Sequence, residues 1–418
     1  MQWKYFTVVA ATFGAAAAAA VDNATLITAT PTVALSCSFS SFTATAPSQL
    51  KTIAACPTAV GDITISGDGF GNIDITGTKR IYGKLTVNGT QKATMFNAPT
   101  LELVSDELRI SFATILATVN LALLTTVHSL YYNALPALQQ AGLSTGLTSA
   151  ESITFANTGL NSLDGVNVQT LKTFDVNNNQ DIQFINSTLQ SVTDSLSINY
   201  NSAKVVVDLD SLTSVKDLSF QSVGFFSAQK LTSINGSLTI DSNSFRKFKF
   251  QELTRIGDSL WIGKNDNLYE FDLEKLSYIG GALNIIDNHS FRDFSFFPKL
   301  ATVGGSVNIV GAFDKGTLPS LEKVAGGFNM TSTGELSCAS FVNLNNKGGV
   351  KGNEFYCQGA SYTISSSSSK PGNNANGQSI DTSAASASSI RRTGAAARQT
   401  VSKFTFAAFF ASVGAILY

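Results

Sequence analysis

The sequence has 418 residues and a formal net charge of -1, and only 14% of its residues are charged. This balance excludes a basic nucleic-acid binder and an acidic tail protein. Serine, threonine, asparagine and glycine are plentiful instead, which is typical of a surface solvated by hydroxyls, amides and sugars.

The N-terminus has the three parts of a secretory signal peptide. Lys4 provides the positive charge, and the apolar stretch over 6–19 is shorter than the roughly 20 residues that span a bilayer. Ala18 and Ala20 occupy the small-residue positions of a cleavage site. Residues 1–20 are therefore predicted to be removed, with cleavage before Val21; the alternative is an uncleaved membrane anchor.

Four cysteines in an exported chain suggest two disulfides. They form two sequence-local pairs with the same spacing, Cys37 with Cys56 and Cys338 with Cys357. Of the three possible connectivities, these two local loops are favoured, and they would close the two ends of the folded region. The alternative is a zinc site built from all four cysteines, but the close cysteine spacing of such sites is missing.

A repeat of 21–24 residues runs through the middle of the chain. Its template is L-x2-[IV]-x3-[LVF]-x-[IM], with clear copies beginning at Leu231, Leu253, Leu276, Leu300 and Leu321 and weaker ones at Leu101, Leu124, Leu189 and Leu212. Each copy ends in alternating apolar and polar residues after a turn, often with glycine, which predicts a short strand with one buried face. A copy this small cannot bury that face alone, so the copies are expected to stack into a solenoid.

Two features recur between the strands of successive copies. Phenylalanines and leucines form a second strand, and we expect them to build an aromatic stack in the core: Phe245, Phe248 and Phe250; Leu268, Phe271 and Leu273; Phe291, Phe294 and Phe296. An asparagine also follows the first strand at a fixed distance, which predicts a buried ladder of Asn201, Asn243, Asn265 and Asn288.

The N-terminal part is less regular. Residues 61–77 indicate two strands joined by a glycine-rich turn, whereas 111–141 would also suit a helix. Position and spacing favour irregular solenoid coils there. The predicted fold is an all-β, right-handed β-helix or leucine-rich-repeat-like solenoid over 21–360, with disulfide-closed caps.

Six N-x-S/T sequons occur, and each accepts a sugar only where its segment reaches solvent. Asn23 lies near the predicted cleavage site. Asn288 belongs to the predicted ladder, so we expect it to carry no sugar. The predicted glycosylation sites are Asn88, Asn186, Asn235 and Asn329.

The C-terminal part has no apolar periodicity until its last residues. Residues 361–394 are rich in serine and predict a disordered, O-glycosylated stalk. Small residues, a polar spacer and the uncharged apolar tail over 404–418 then form a GPI signal. We predict attachment at Gly394 and removal of 395–418, with Ser389 and Thr393 as alternatives.

Taken together, the cysteine pairs, the repeat, the serine-rich stalk and the GPI signal resemble the receptor L-domain-like, GPI-anchored cell-wall and sporulation-specific proteins of fungi. The resemblance covers the chain from about Val33 onward. It implies a role in cell-wall organisation and integrity, and an extracellular location at the plasma membrane and in the wall. Arg391 and Arg392, before the attachment site, lead us to expect partial retention at the membrane.

No catalytic or metal site is predicted, and no cofactor is expected. His128 and His289 lie in different repeats without metal-ligand spacing. The enzyme alternative is a β-helix that cleaves wall glycan with two facing carboxylates. The candidate carboxylates are Asp208 and Asp210 in one group, and Glu270, Asp272 and Glu274 in another. Their alternation with apolar residues is, however, also typical of a solvated strand face.

The remaining hypothesis is a module that binds a ligand on its sheet face. Trp261 lies between Leu260 and Ile262 and is expected to point outward, where sugars stack on aromatic rings; Tyr200 and Tyr278 are weaker candidates. The expected partners are cell-wall glycans or wall proteins, and the outer leaflet of the plasma membrane through the GPI anchor, with no nucleic acid.

Overall fold

The computed structural model describes residues 29–359 and 362–367. The predicted signal peptide, Asn23, most of the predicted stalk, Gly394 and the tail lie outside the described residues. None of the described helices is long and apolar enough to cross a membrane.

One long sheet of 22 strands follows the described chain from end to end. Its coils pair in parallel, except that the last two strands are antiparallel. The predicted all-β solenoid is confirmed, with about 13 turns. The strands of the long sheet are Ser38–Ala44, Thr58–Ser66, Arg80–Tyr82, Leu85–Asn88, Leu103–Ser111, Thr126–Leu135, Ser152–Thr158, Thr170–Asn177, Ser191–Asn199, Ser214–Gln221, Ser233–Ile234, Leu238–Asp241, Arg255–Ile256, Leu260–Gly263, Tyr278–Ile279, Leu283–Ile286, Thr302–Val303, Val307–Gly311, Lys323–Val324, Phe328–Ser332, Glu354–Gly359 and Tyr362–Ser367.

Three small parallel sheets form a second side of the coils. Each of their strands has three residues with the middle one buried, so the outer two face solvent. The first contains Asn72–Asp74, Met95–Asn97 and Thr118–Asn120, the second Phe184–Asn186, Val206–Asp208 and Phe225–Ser227, and the third Lys247–Lys249 and Glu270–Asp272.

The core lies between the long sheet and the small sheets. Ile240, Ile262 and Ile285 occupy one register position on successive coils and are fully buried. Across from them, the rings of Phe248 and Phe271 stack with centroids 5.2 Å apart. The predicted aromatic stack is confirmed except at its last copy, where no strand forms over 291–296 and Phe297 is fully buried whereas Phe296 is half-buried. Burial of each fully buried ring stabilises the fold by about 1.5–3 kcal/mol.

The predicted asparagine ladder is also confirmed. Asn265 Oδ1 accepts the backbone N–H and the side-chain amide of Asn243 at 2.9 and 3.1 Å, and Asn265 Nδ2 donates to Ile240 O at 3.0 Å. Asn179, which the sequence pattern did not predict, is fully buried and bonded to Asn201. These bonds satisfy backbone groups that the corner would otherwise bury without partners.

The ladder offsets a conformational cost at the same corner. The residue before each ladder asparagine has a left-handed φ of about 55°, as at Tyr200 and Lys264. A non-glycine residue there costs on the order of 1–3 kcal/mol unless its surroundings hold it. Among the described residues, nine coils place a non-glycine residue in this conformation, at Phe112, Ala134, Asn157, Asn178, Tyr200, Ser222, Ser242, Lys264 and Asp287.

The stretch over 111–141, which also suited a helix, consists of strands and turns within the solenoid. Tyr132 belongs to the core here: its ring is fully buried and its hydroxyl donates to Ala141 O at 3.1 Å. Leu130 and Leu135 on the same strand are also buried. The solenoid is therefore continuous through the region that conforms least to the repeat.

Both predicted disulfides close the ends of the coil. Cys37 pairs with Cys56 and Cys338 with Cys357, with Cα–Cα distances of 5.6 and 6.0 Å. A 3-10 helix, Leu35–Cys37, and an α-helix, Pro47–Ala54, lie at the first end, and a helix, Ala339–Asn346, lies at the second. The strand Tyr362–Ser367 continues the sheet past 360, where the solenoid was predicted to end.

Candidate functional site

The outward face of the long sheet has a continuous row of side chains, one from each coil. The pairing register places its members in the order Arg109, Tyr131, Thr154, Asp175, Ser197, Ser219, Thr239, Trp261, Asn284, Asn308, Asn329 and Tyr356. Neighbouring strands lie about 4.8 Å apart, so Tyr131 and Trp261, six steps apart, are separated by about 29 Å. Between these aromatic residues the row contains hydroxyls and one carboxylate.

The small side chains leave a shallow depression of about 310 Å³ in this face. We call it the trough and define it by eight outward residues: Thr173, Asp175, Ser195, Ser197, Asp217, Ser219, Ser237 and Thr239. Its walls offer hydroxyl donors and carboxylate acceptors. This is the chemistry that a polyhydroxylated ligand requires.

Asp175 is one of two half-buried carboxylates of the trough; the other, Asp217, accepts the backbone N–H of Ser237 at 2.8 Å. Burial raises the pKa of Asp175 above its ordinary value, and hydrogen bonds from Asn177 and Ser197 partly oppose that rise. Asn177 Nδ2 donates to Asp175 Oδ2 at 2.9 Å. The carboxylate is thus oriented and poorly hydrated, which strengthens any hydrogen bond that it accepts from a ligand.

Trp261 lies in the outward row, as its position between two buried residues predicted. Its Nε1 donates to Asp241 Oδ1 at 3.0 Å. Gly263 gives the indole room, because a Cβ at that position would lie 2.5 Å from Trp261 Nε1. The ring is therefore held against the sheet with little rotamer freedom to lose on binding.

The rings of the other outward aromatic residues are less accessible to a ligand than the ring of Trp261. The Arg255 guanidinium lies 4.0 Å above the ring of Tyr278, and Arg109 lies 3.9 Å above Tyr131. These cation–π contacts occupy ring faces that a sugar would need. Tyr200 is 55% exposed but belongs to the left-handed corner and not to the outward row that contains Trp261. The arginine partners come from neighbouring coils, so sequence alone did not identify them.

Asp208 ends a strand of the second small sheet and Asp210 lies in the turn that follows it, on a different face from the trough. Asp208 Oδ1 accepts the backbone N–H of Asp210 at 3.0 Å. The Asp210 carboxylate accepts bonds from Ser227 and Gln229. Both carboxylates thus hold turns in place, which explains their alternation in the sequence.

The second acidic group repeats this arrangement. Asp272 Oδ1 accepts the backbone N–H of Glu274 at 3.1 Å, and Glu270 lies on the same strand as Asp272. His128 lies beside Glu151 and His289 beside Asp266, in separate exposed pairs. Within 29–359 and 362–367, no three histidine, cysteine or acidic side chains form a group that could hold a metal ion.

The sequons differ in how their amides are used. Asn88, Asn186 and Asn235 are exposed. The Asn329 side chain is half-buried and its Nδ2 donates to Asn308 Oδ1 at 2.7 Å. Asn288 is 2% exposed, and its Nδ2 donates to Ile262 O and Ile286 O. This geometry agrees with an unmodified Asn288; the sugars on the other four remain predictions.

Comparison with known proteins decides the family. No family model and no solved structure matches the chain. The chain is 33% identical over 336 residues to the cell surface GPI-anchored protein ECM33 of Candida albicans, covering 80% of this chain and 81% of that protein. It belongs to the Ecm33-like family of fungal cell-surface proteins.

Two further relatives support the same assignment. The cell wall mannoprotein PST1 of Saccharomyces cerevisiae is 32% identical over 321 residues, which cover 76% of this chain and 72% of PST1. Protein ecm33 of Aspergillus fumigatus is 29% identical over 307 residues, or 73% and 76% of the two chains. The chain is accordingly an extracellular, GPI-anchored protein of the cell surface and wall.

Proposed function

We propose that this member of the Ecm33-like family is a non-enzymatic scaffold that the cell wall needs for its organisation and integrity. The observation that carries the proposal is the continuous parallel solenoid, which presents one outward, mainly polar row on successive coils from Arg109 to Tyr356. Such a surface is rigid and repetitive, so it can align partners along one direction. The relatives' names, cell surface protein and cell wall mannoprotein, support a wall-associated role.

The proposal includes the processing of both ends. The mature chain begins at Val21, carries sugars at Asn88, Asn186, Asn235 and Asn329, and is attached to its anchor at Gly394. The residues from 368 to 394 then serve as a stalk.

Complementation tests the scaffold role. Cells that lack the gene are expected to be sensitive to wall-perturbing dyes, and the full chain should restore resistance. A chain with Asp208→Asn, Asp210→Asn, Glu270→Gln, Asp272→Asn and Glu274→Gln should restore it equally, at matched surface levels. Failure of this chain, together with release of reducing ends by the unmodified protein, would favour an enzyme instead.

A second candidate function is binding of a wall polysaccharide along the trough. Two observations favour it: the indole of Trp261 is held rigid, and the next three coils present hydroxyls, with Asp175 on the fourth coil, about 19 Å from Trp261. A sugar ring has an apolar face that can stack on the indole and hydroxyls that can bond to the row. Stacking on a pre-oriented ring and hydrogen bonding to a poorly hydrated carboxylate act together, so several weak contacts can sum to specific binding.

Pull-down with insoluble β-glucan and chitin tests this second function. A chain that ends before 395 should be retained by one of these polymers and released by soluble fragments of the same polymer. Retention that is unchanged in Trp261→Ala and Asp175→Ala would show that another surface binds.

A further inference from the structure

The outward side of the second small sheet has an exposed apolar row. Phe184, Val206 and Phe225 are in register on three successive coils. Phe184 is 51% exposed and Phe225 is 52% exposed. Two half-exposed aromatic rings with a valine between them keep apolar surface in contact with water, which is unfavourable unless something covers them.

A glycosylation sequon begins on the same strand and faces the same side. Asn186 follows Phe184 by two residues, and the strand Phe184–Asn186 has the pattern exposed, buried, exposed. Side chains at i and i+2 of a strand share a face, about 6.6 Å apart. Among the described residues no hydrogen bond uses the Asn186 amide, whereas the amides of Asn288 and Asn329 donate to protein acceptors.

The other predicted sites lack this neighbour. The residue two positions before the sequon asparagine is Thr86 for Asn88, Ser233 for Asn235 and Gly327 for Asn329. Asn186 is therefore the one predicted site with an aromatic ring at that position, and the ring is exposed.

We propose that the N-linked glycan on Asn186 packs its first N-acetylglucosamine against the ring of Phe184, covers this end of the apolar row and stabilises the coil. The sugar arrives from a lipid diphosphate-linked oligosaccharide in the secretory pathway. The Asn186 Nδ2–C1 bond forms, the C1–O bond to the diphosphate breaks, and the amide loses one proton as the lipid diphosphate leaves. Sugar attachment at Asn186 is itself part of the proposed processing, and the packing goes beyond it.

The physical basis is a tethered hydrophobic contact. The first sugar is bound to Asn186, so its effective concentration beside Phe184 is high and little further entropy is lost when the two meet. The ring cannot turn inward, because the buried Ile185 already fills the inward position of the strand. Phe225 lies two coils away, about 10 Å, so the first sugar of Asn186 should reach it less well.

A double-mutant cycle on the full chain, purified from fungal membranes in detergent, tests the packing. The four proteins are the unmodified chain, Asn186→Gln, Phe184→Ala and the double variant. We expect Asn186→Gln to lower the melting temperature by about 2–4 °C when Phe184 is present and by less than half as much in Phe184→Ala. Limited proteolysis within 178–200 should show the same coupling locally.

Two controls make the result specific. Asn88→Gln removes a sugar whose asparagine has no aromatic residue two positions earlier, and its effect should be independent of Phe184. Phe225→Ala removes an equally exposed ring of the same row and should couple to Asn186→Gln much less than Phe184→Ala does. Phe184→Leu, which keeps apolar bulk without a flat ring, serves where Phe184→Ala is poorly secreted, and it should also weaken the coupling.

Several results would overturn the packing. Mass spectrometry could find no sugar on Asn186 of the mature protein, or Asn186→Gln could lower stability equally with and without Phe184. Concentration-dependent dimerisation of the glycosylated chain that Phe184→Ala abolishes would show that a second copy covers the row. None of these results bears on the scaffold role, which complementation tests separately.

Discussion

The face that contains the trough and the face of the small sheets are built from the same strand alternation, yet their outward residues differ in kind. On the trough face, the carboxylate of Asp175 is oriented by the side chains of Asn177 and Ser197 and lies in a row of hydroxyls between two aromatic rings. On the small-sheet face, Asp208 and Asp272 bind the backbone of the next turn, and the exposed rings of Phe184 and Phe225 lie beside a sequon. An outward acidic residue can thus belong to a binding surface or to a turn, and the difference lies in its partners.

The corner that joins the two faces provides the largest expected effect. Asn265→Ala removes bonds to Asn243, Ile240 O and Gly263 O and leaves buried backbone groups unpaired. We expect a loss of about 3–5 kcal/mol of unfolding free energy, because each unpaired buried group costs about 1–3 kcal/mol. Denaturant unfolding measures it, and Asn267→Ala, an exposed asparagine of the same coil, should cost less than about 0.5 kcal/mol. A small loss at Asn265 would mean that the ladder does not hold the two faces together.

Trp261 and Tyr278 form a matched pair of outward aromatic residues that differ in the access to their rings. Trp261→Ala should weaken binding to the retained polysaccharide at least tenfold, or about 1.4 kcal/mol. Tyr278→Ala should change it less than twofold, because Arg255 covers the ring of Tyr278 at 4.0 Å. Isothermal titration with soluble oligosaccharides measures both affinities. Equal losses would contradict the view that ring access distinguishes these residues.

The smallest expected effect is a dependence of stability on pH at Asp175. Since the folded state holds the pKa of Asp175 above its ordinary value, the charged form is less stable in the fold than in the unfolded chain. Below the ordinary pKa, Asp175 is protonated in both the folded and the unfolded state and does not lower the free energy of unfolding. As the pH rises through the ordinary pKa, the free energy of unfolding decreases, and the decrease is complete above the pKa of the folded state. Asp175→Asn should therefore raise the melting temperature by about 1–3 °C at pH 7.

At about pH 3, below the ordinary carboxylate range, the same variant should melt within about 1 °C of the unmodified chain. Ser197→Ala serves as a control that removes one bond to Asp175 without removing its charge. The Asp175→Asn protein should also bind the polysaccharide less tightly, which would show a residue kept for binding at a small cost in stability. A variant that is less stable at pH 7 would contradict this view of Asp175.

Much of the fold could be predicted because its determinants are local and repeated. The strand that ends in Leu260 and Ile262 has its whole pattern within ten residues, and the next coil repeats it. The spacing of Asn201, Asn243, Asn265 and Asn288 predicted the ladder for the same reason. The prediction missed Asn179 because it follows Asn177 and Asn178, and three consecutive asparagines do not show which of them takes the ladder position.

The surface was harder to predict because its partners come from different coils. Nothing near Tyr278 in the sequence shows that Arg255, 23 positions earlier, lies over its ring. The trough likewise needs small residues from four successive coils, at positions that look like ordinary solvated strand residues. Asp208 and Asp210 show the same limit: their alternation fitted either paired carboxylates or a solvated strand face, and only the structure shows that each one forms bonds that fix a turn.

The reversal of the final strand has a mechanical consequence for an anchored protein. Tyr362–Ser367 pairs antiparallel with Glu354–Gly359, so Ser367, the end nearer the anchor, lies opposite Glu354. A pull from the anchor side loads this hairpin at its open end, and its hydrogen bonds break in succession instead of shearing together. Extension then stops at Cys357, whose bond to Cys338 carries the tension across the last coil. The terminal hairpin can yield and re-form under load while the coils behind it stay intact.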